Sequence, residues 1–436
     1  MNTRPLRIAL LMHSLNPRGG VVHTLELADA LMQLGHDVTV IAAARAGQKL
    51  FRPTLAKLSV ASLGELPSAL VPMVGARMQA VAAHLRGLDL TDFDVLHSQD
   101  SITANALADL QAEGRIDGFV RTVHHLDTFD EPQLTAWQAR GVQAARQLLC
   151  VSALWQGVLA HDWGRHAHRV GNGVNLRRYT CIGAAAQAQQ AKDQATLHAI
   201  GLPPATPYWL AVGGVEARKN TTRLLHAFAT MRTQVPEAVG ARLVIVGGAS
   251  VLEHAQAQAD FHAARRAHGM APGHPNADSV LLTGPVPDDV LPALYRRAIA
   301  LAMPSVKEGF GLVAIEAMAC GTPAIVSRIA PFTEHLRPHE AFWADPQDVR
   351  DIANALHATW RLHQDPEQRD ERARHAQQAR QVAARFDWQA SARQHLAVYA
   401  GLAARPAGAA DASEAPQTQQ MPSQTPTAST EHPCHA

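Results

Sequence analysis

The 436-residue chain has no excess of either charge: Lys+Arg 39 against Asp+Glu 38 leave a formal net charge of +1. No global field exists to draw in nucleic acid or an anionic surface, so a dedicated nucleic-acid binder is not expected. Cysteine is scarce, and Cys150, Cys181, Cys320 and Cys434 form no CxxC pair. That speaks against a disulfide framework and a structural metal, and points to a reducing, cytoplasmic compartment. Long apolar runs are missing too. The first, Ile8 to Met12, is shorter than the core of a signal peptide, and no window reaches the ~18 residues of a membrane span. Leu66 to Leu85 comes nearest, but Arg77, Gln79 and His84 interrupt it, and Leu70, Met73, Val74 and Val81 suit an amphipathic helix. A soluble protein without a transmembrane segment is expected, with room left for peripheral membrane contact.

What is present is a core-forming composition, 47% hydrophobic and 18% charged, over a length that fits more than one domain. Short β-branched runs alternate with long helical patterns, the signature of βαβ units and mainly parallel sheets. The first half offers strands at Arg7 to Met12, Val38 to Ala42, Asp94 to His97, Phe119 to Val123 and Gln147 to Val151. A helix from Val21 to Leu34 closes at Gly35, as a C-cap glycine should. The second half restarts at Tyr208 to Val212, Leu243 to Val246, Val280 to Leu282, Ile299 to Met303 and Ala324 to Val326. The pattern reads as two doubly wound α/β domains, 1–178 and 201–385. An Ala/Gln-rich stretch, 179–200, reads as a linker or insertion with little to bury. A helix over 386–402, carrying Phe386, Trp388, Leu396, Val398 and Tyr399, must dock its apolar stripe, and the first domain is the candidate. From 403 to 436 the composition turns to Ala, Pro, Ser, Thr and Gln, too poor in large apolar groups to order.

Four constellations carry chemistry. Gly19-Gly20 follows the first strand and opens a helix, where free N–H groups and the helix dipole favour an anion. G-x-G-x-x-G is absent there, which removes the main argument for a nicotinamide or flavin cofactor. Gly213-Gly214-Val215-Glu216-Ala217-Arg218-Lys219-Asn220 takes the matching turn of the second domain. Its adjacent cations suit a diphosphate, and Lys219 is one of only five lysines. Glu308-Gly309-Phe310-Gly311-Leu312 leads into a helix carrying Glu316, so two carboxylates and a helix N-terminus meet one cleft, where acids accept bonds from sugar hydroxyls. Core packing explains Leu312, Ile315 and Ala319 but not two acids beside glycines. His124 ends the Phe119 strand at the carboxyl edge where open sheets bind ligands.

Together with Leu27-Ala28, Gly35-His36-Asp37-Val38, Val151-Ser152, Asn172-Gly173-Val174 and Ala319-Cys320-Gly321-Thr322-Pro323, these stretches resemble the retaining glycosyltransferases of family 4 over nearly all of 5–402. The resemblance implies the GT-B architecture: two facing Rossmann-like domains with a C-terminal helix crossing back to the first. It implies transfer of a sugar from a nucleotide-diphosphate sugar, a co-substrate rather than a bound cofactor, to an acceptor that is a glycan, a lipid or a small molecule. In those terms Lys219 neutralises the diphosphate with Arg218 beside it. Gly213, Gly309, Phe310, Gly311 and Leu312 approach the donor through the backbone. Glu308 takes the sugar hydroxyls, Glu316 the ribose, and His124 the sugar near its reacting carbon. Gly19 and Gly20 approach the phosphates or the acceptor.

Two positions depart from the family pattern. Gly214 stands where an arginine is usual, which moves that duty to Arg218, and Gln99 stands where a second histidine often follows His97. No D-x-D follows a strand, and a lysine with a helix N-terminus can stabilise a leaving diphosphate, so transfer is expected without a metal. Two other readings keep the glycine loops: a nucleotide-sugar 2-epimerase of the same fold, and a non-catalytic nucleotide-binding module, which has no need of both glutamates and His124.

Overall fold

The computed structural model describes residues 4–180, 185–248 and 255–403. Of the tail expected to be disordered, all but the first residue lies outside them, as do Cys181 and Cys434. The described residues form two parallel sheets wrapped by helices. The first contains β1 (Arg7–Met12), β2 (Asp37–Arg45), β3 (Lys57–Leu63), β4 (Val95–Ser98), β5 (Val120–Val123), β6 (Gln147–Cys150) and β7 (Ala167–Arg169), in the order β3-β2-β1-β4-β5-β6-β7. The second contains β8 (Tyr208–Val212), β9 (Arg242–Val246), β10 (Val280–Gly284), β11 (Ala300–Met303), β12 (Ala324–Ser327) and β13 (Phe342–Ala344), in the order β10-β9-β8-β11-β12-β13. In each sheet the order reverses beside the first strand, which opens a crevice at the carboxyl ends of β1 and β4 and of β8 and β11.

Strands covered on both faces must be apolar throughout, and Ile8 to Met12 are all buried. The β1–β2 register, Arg7↔Asp37 to Met12↔Ala42, sets that buried run beside Val38 to Ala42. Three strands that the sequence pattern does not reveal, β3, β7 and β13, are each outermost in a sheet. β7 and β13 are three residues long, and β3 leaves Leu58 and Val60 exposed, so none shows a buried run. The 179–200 stretch is more than a spacer. Its helix Ala185–Ala199 buries Leu197 and places Asp193 in a bidentate ion pair with Arg296, both contacts at 2.7 Å.

The closing helix, Trp388–Ala403, packs on helix Gly19–Gln33, and Trp388, Ala392 and Tyr399 join the first domain's core. Asn172-Gly173-Val174 makes the crossing feasible. A side chain at Gly173 would collide with the Trp388 backbone, while Val174 N–H donates to Phe386 O at 3.1 Å and Ser391 Oγ to Gly171 O.

Candidate active site

The second domain supplies the charge. After β8 the chain turns through Gly213 and Gly214, both at positive φ, and both amides donate to Val246 O at 2.8 and 2.9 Å. Those N–H groups are thus spent on the sheet. The glycines serve close approach instead: a Cβ on Gly213 would meet Lys219 Cε at 2.9 Å, and one on Gly214 the Gly248 carbonyl at 2.8 Å. Asn220, left-handed with φ 61°, pins the end of the turn by donating to Pro304 O and Pro346 O at 2.8 and 2.7 Å. Lys219 is thereby directed inward.

Its Nζ lies 2.7 Å from Glu308 Oε1, which also takes Arg218 NH1 at 3.1 Å. Burial pushes the Glu308 carboxyl up, but Lys219 and Arg218 outweigh it and hold the group below the usual carboxylate range. Burial likewise lowers the Lys219 pKa, with Glu308 opposing. Glu216 completes the cluster, 3.5 Å from Arg218 and 3.5 Å from Arg18 of the first domain.

Beyond Glu308, the amides of Gly309, Phe310, Gly311 and Leu312 donate to no described residue, and helix Leu312–Ala319 begins there. The Phe310 side chain points away, into a tilted contact with His335 at 4.2 Å and an edge-on one with Phe386 at 5.7 Å, so only its backbone is offered to the cleft. Gly309 presses against the first domain, where any side chain would collide with the His124 carbonyl. Trp155 Nε1 of the first domain donates to Glu308 O at 3.1 Å, fixing the loop from the other side.

Glu316 lies in a different environment. Its Oε2 accepts from Tyr295 OH at 2.8 Å, and burial raises its pKa. Next to it runs a cross-domain ion network in which Arg52 bridges Glu26 at 2.6 Å and Asp288 at 2.8 Å, with Arg178 also on Asp288.

Besides Arg18, the first domain supplies glycines and buried, uncharged histidines. Gly19 and Gly20 are not a loop but the first turn of helix Gly19–Gln33, two residues earlier than the sequence pattern indicates. Gly20 makes room for His124, whose Cδ2 would lie 3.3 Å from a Cβ there. His124 Nε2 is 3.0 Å from Gln99 Oε1, and its ring meets His23 edge-on at 4.6 Å. Burial, aided by His125, depresses the His124 pKa to about 3. Sequence reasoning singled out His124 but not His23, Asn172, Trp155 or Arg18. No motif marks His23 or Trp155, while Arg18, in the stretch Pro17-Arg18-Gly19-Gly20, and Asn172 stand in marked stretches without a role of their own; here Asn172 Oδ1 holds His23 Nδ1 at 2.8 Å.

Residues 17–178 match the family described as Glycosyltransferase Family 4, and residues 193–381 that described as Glycosyl transferases group 1. D-inositol 3-phosphate glycosyltransferase 2 of Catenulispora acidiphila is 27% identical over 92% of this chain and 96% of its own. The D-inositol 3-phosphate glycosyltransferase of Xylanimonas cellulosilytica is 29% identical over 91% and 97%. Among solved structures, Anabaena Alr3699/HepE in complex with UDP and glucose superposes with a TM-score of 0.67 at 17% identity, covering 91% of this chain and 100% of that one. Sucrose-phosphate synthase from Thermosynechococcus elongatus gives 0.68 at 23%, covering 91% and 99%. The two family matches meet the two sheets in chain order, and the solved neighbours share the arrangement of both; the chain belongs to the family 4 glycosyltransferases and has the GT-B fold.

Proposed function

We propose that this glycosyltransferase moves a sugar from a nucleotide-diphosphate sugar with retention of configuration, and that it needs neither metal nor cofactor to do so. The observation that carries this is the convergence of Lys219 and Arg218 on Glu308 beneath the free amides of Gly309–Leu312, with His124 facing them across the cleft. A diphosphate at that point receives two cations and a helix N-terminus, which stabilise the charge that grows as the sugar leaves. Glu308, relieved of part of its ion pairing by the phosphates, accepts bonds from donor sugar hydroxyls, and Glu316 with Tyr295 holds the ribose. No carboxylate is assigned as a nucleophile. The leaving phosphate takes the acceptor proton on the face it departs from, which gives retention. No helix of the described residues is long and apolar enough to cross a membrane.

A panel of UDP-, GDP- and ADP-sugars tests the donor by thermal shift and by hydrolysis, since a bound donor stabilises by RT ln(1 + [L]/Kd). UDP-glucose comes first, because Anabaena HepE is solved with it. The acceptor to try first is D-inositol 3-phosphate, after the relatives' names. Inversion at the anomeric carbon, seen by NMR, overturns retention. Activity abolished by a chelator and restored by Mg²⁺ overturns metal independence, and an isomerised donor formed without acceptor turns the reading to an epimerase.

A further inference from the structure

Gln99 lies just beyond β4 and is 3% exposed, between two histidines. Its Oε1 is 3.0 Å from His124 Nε2, and its Nε2 is 3.4 and 3.3 Å from Nδ1 and Nε2 of His97. Near-equal distances to both nitrogens of one ring place the amide over the ring face, since an in-plane atom so placed would overlap the ring. The in-plane bonds of His97 are already taken, Nε2 with Thr122 Oγ1 at 2.8 Å and Nδ1 with Tyr399 OH at 2.7 Å. An aromatic face attracts an N–H and repels a carbonyl oxygen. The amide is therefore oriented with its nitrogen on His97 and its oxygen on His124.

An oxygen can only accept, so the proton of His124 resides on Nε2. The charged and titratable groups around the ring are His125, His23, His97, His395, Asp100 and Arg121, and the net effect of burial and these neighbours keeps it neutral. Nδ1, which has no hydrogen bond to a described residue, is then an acceptor.

We propose that Gln99 is a positioning residue for sugar transfer: by accepting the Nε2 proton it keeps His124 in the tautomer whose Nδ1 can take a hydrogen bond from a sugar hydroxyl. This rests on the role given to His124 above. An amide over His97 also satisfies both neighbours at once. Without that oxygen, the proton is free to move to Nδ1, and the cleft would meet a donor where it needs an acceptor.

The test has two readouts. In ligand-free protein labelled with ¹⁵N-histidine, the His124 signals, assigned by their loss in His124→Asn, show a pyridine-like Nδ1. In Gln99→Leu the pyridine-like signal moves wholly or partly to Nε2, and in Gln99→His, where an imidazole nitrogen can accept, it returns to Nδ1. Turnover is then followed with the UDP-, GDP- or ADP-sugar that the panel shows to be hydrolysed. Gln99→Leu lowers kcat about tenfold while affinity for the nucleoside diphosphate of that donor stays within about twofold, and Gln99→His recovers most of the loss. Gln99→Met replaces the leucine variant if that one melts early. An unchanged tautomer in both apolar variants, or a rate loss matched by an equal loss of that nucleoside diphosphate's affinity, overturns the inference. Turnover lost in His124→Asn but kept in Gln99→Leu overturns the role of Gln99 alone. Unaltered turnover in His124→Asn overturns the role of His124 itself.

Discussion

The two sheet edges that face each other across the cleft solve the burial of polar groups in opposite ways. On the first, His23, His97, His124 and His395 are all driven below the ordinary histidine pKa by burial. They stay inside by giving up their charge. On the second, Lys219, Arg218, Glu216 and Glu308 stay inside by pairing theirs. Burial of a polar group is tolerated when it is hydrogen-bonded, and of a charge when it is matched. In the proposed function the first wall meets sugar hydroxyls and the second the diphosphate, a division between mainly uncharged and charged recognition.

Acid breaks the contrast most severely. A histidine whose folded pKa is depressed binds its proton in the unfolded chain first, so its folded form loses stability as pH falls from about 6.5 toward the folded value, and above 6.5 it has no effect. His124 reaches about 3 and His395 about 4, with His23 and His97 shifted in the same direction. Each steepens the loss by about 1.4 kcal/mol per pH unit, and four together by about 5 kcal/mol per unit, against a typical total stability of 5–15 kcal/mol. Urea midpoints should hold from pH 8 to 7 and fall steeply below 6, with unfolding without denaturant near pH 4 to 5. His395→Leu should flatten that slope by about one proton. A midpoint that stays level down to pH 5 would mean that the first wall carries charge after all.

Lys219→Ala strikes the second wall. A charge-assisted contact is worth about 1.5–3 kcal/mol, so the nucleoside diphosphate of whichever donor the panel identifies, taken below as UDP, should bind roughly ten- to a hundredfold more weakly by calorimetry, and the nucleotide sugar equally so. Undiminished UDP affinity would place the diphosphate elsewhere.

The glutamates divide the second wall further. Glu308→Gln should leave UDP affinity intact or raise it, because Lys219 and Arg218 lose a competing partner, while turnover of the full donor falls about tenfold. Glu316→Gln, which weakens the carboxylate that accepts from Tyr295, should lower UDP and donor affinity by a similar factor, at most about tenfold. Equal losses of UDP affinity in both variants would erase the distinction between a sugar carboxylate and a ribose carboxylate.

Much of this contrast was legible in the sequence, unevenly between the walls. The charged wall lies on short contiguous stretches, 213–220 and 308–316, where glycine spacing and adjacent charges mark it. The central strands announced themselves as apolar runs, while β3, β7 and β13 did not, because an outermost strand need not be buried on both faces. The neutral wall was mostly hidden. His23 and His395 carry no mark in the sequence, and Gln99 and Asn172, which stand out there as a departure and as part of a motif, acquire a role only when β1, β4 and the returning C-terminal helix bring all four together. In a chain with 24 histidines, no single one stands out. The Phe310 ring shows the converse: it sits within the most informative stretch, yet its side chain belongs to the core.

The smallest expected effect sharpens the comparison within the charged wall itself. Arg218 and Lys219 both reach Glu308 Oε1, but Arg218 is farther away, at 3.1 against 2.7 Å, and its side chain is 26% exposed against 14%. Exposed pairs are screened by water and salt and contribute up to about 1 kcal/mol. Arg218→Ala should therefore weaken UDP only about threefold in dilute buffer. The defect should shrink toward nothing as salt is raised, because added ions screen the exposed guanidinium far more than the buried ammonium. Lys219→Ala should keep most of its defect under the same conditions. A loss in Arg218→Ala as large and as salt-resistant as that of Lys219→Ala would show that Arg218 has fully taken over the duty of the arginine missing at Gly214, and that the charged wall holds its diphosphate with two equal cations.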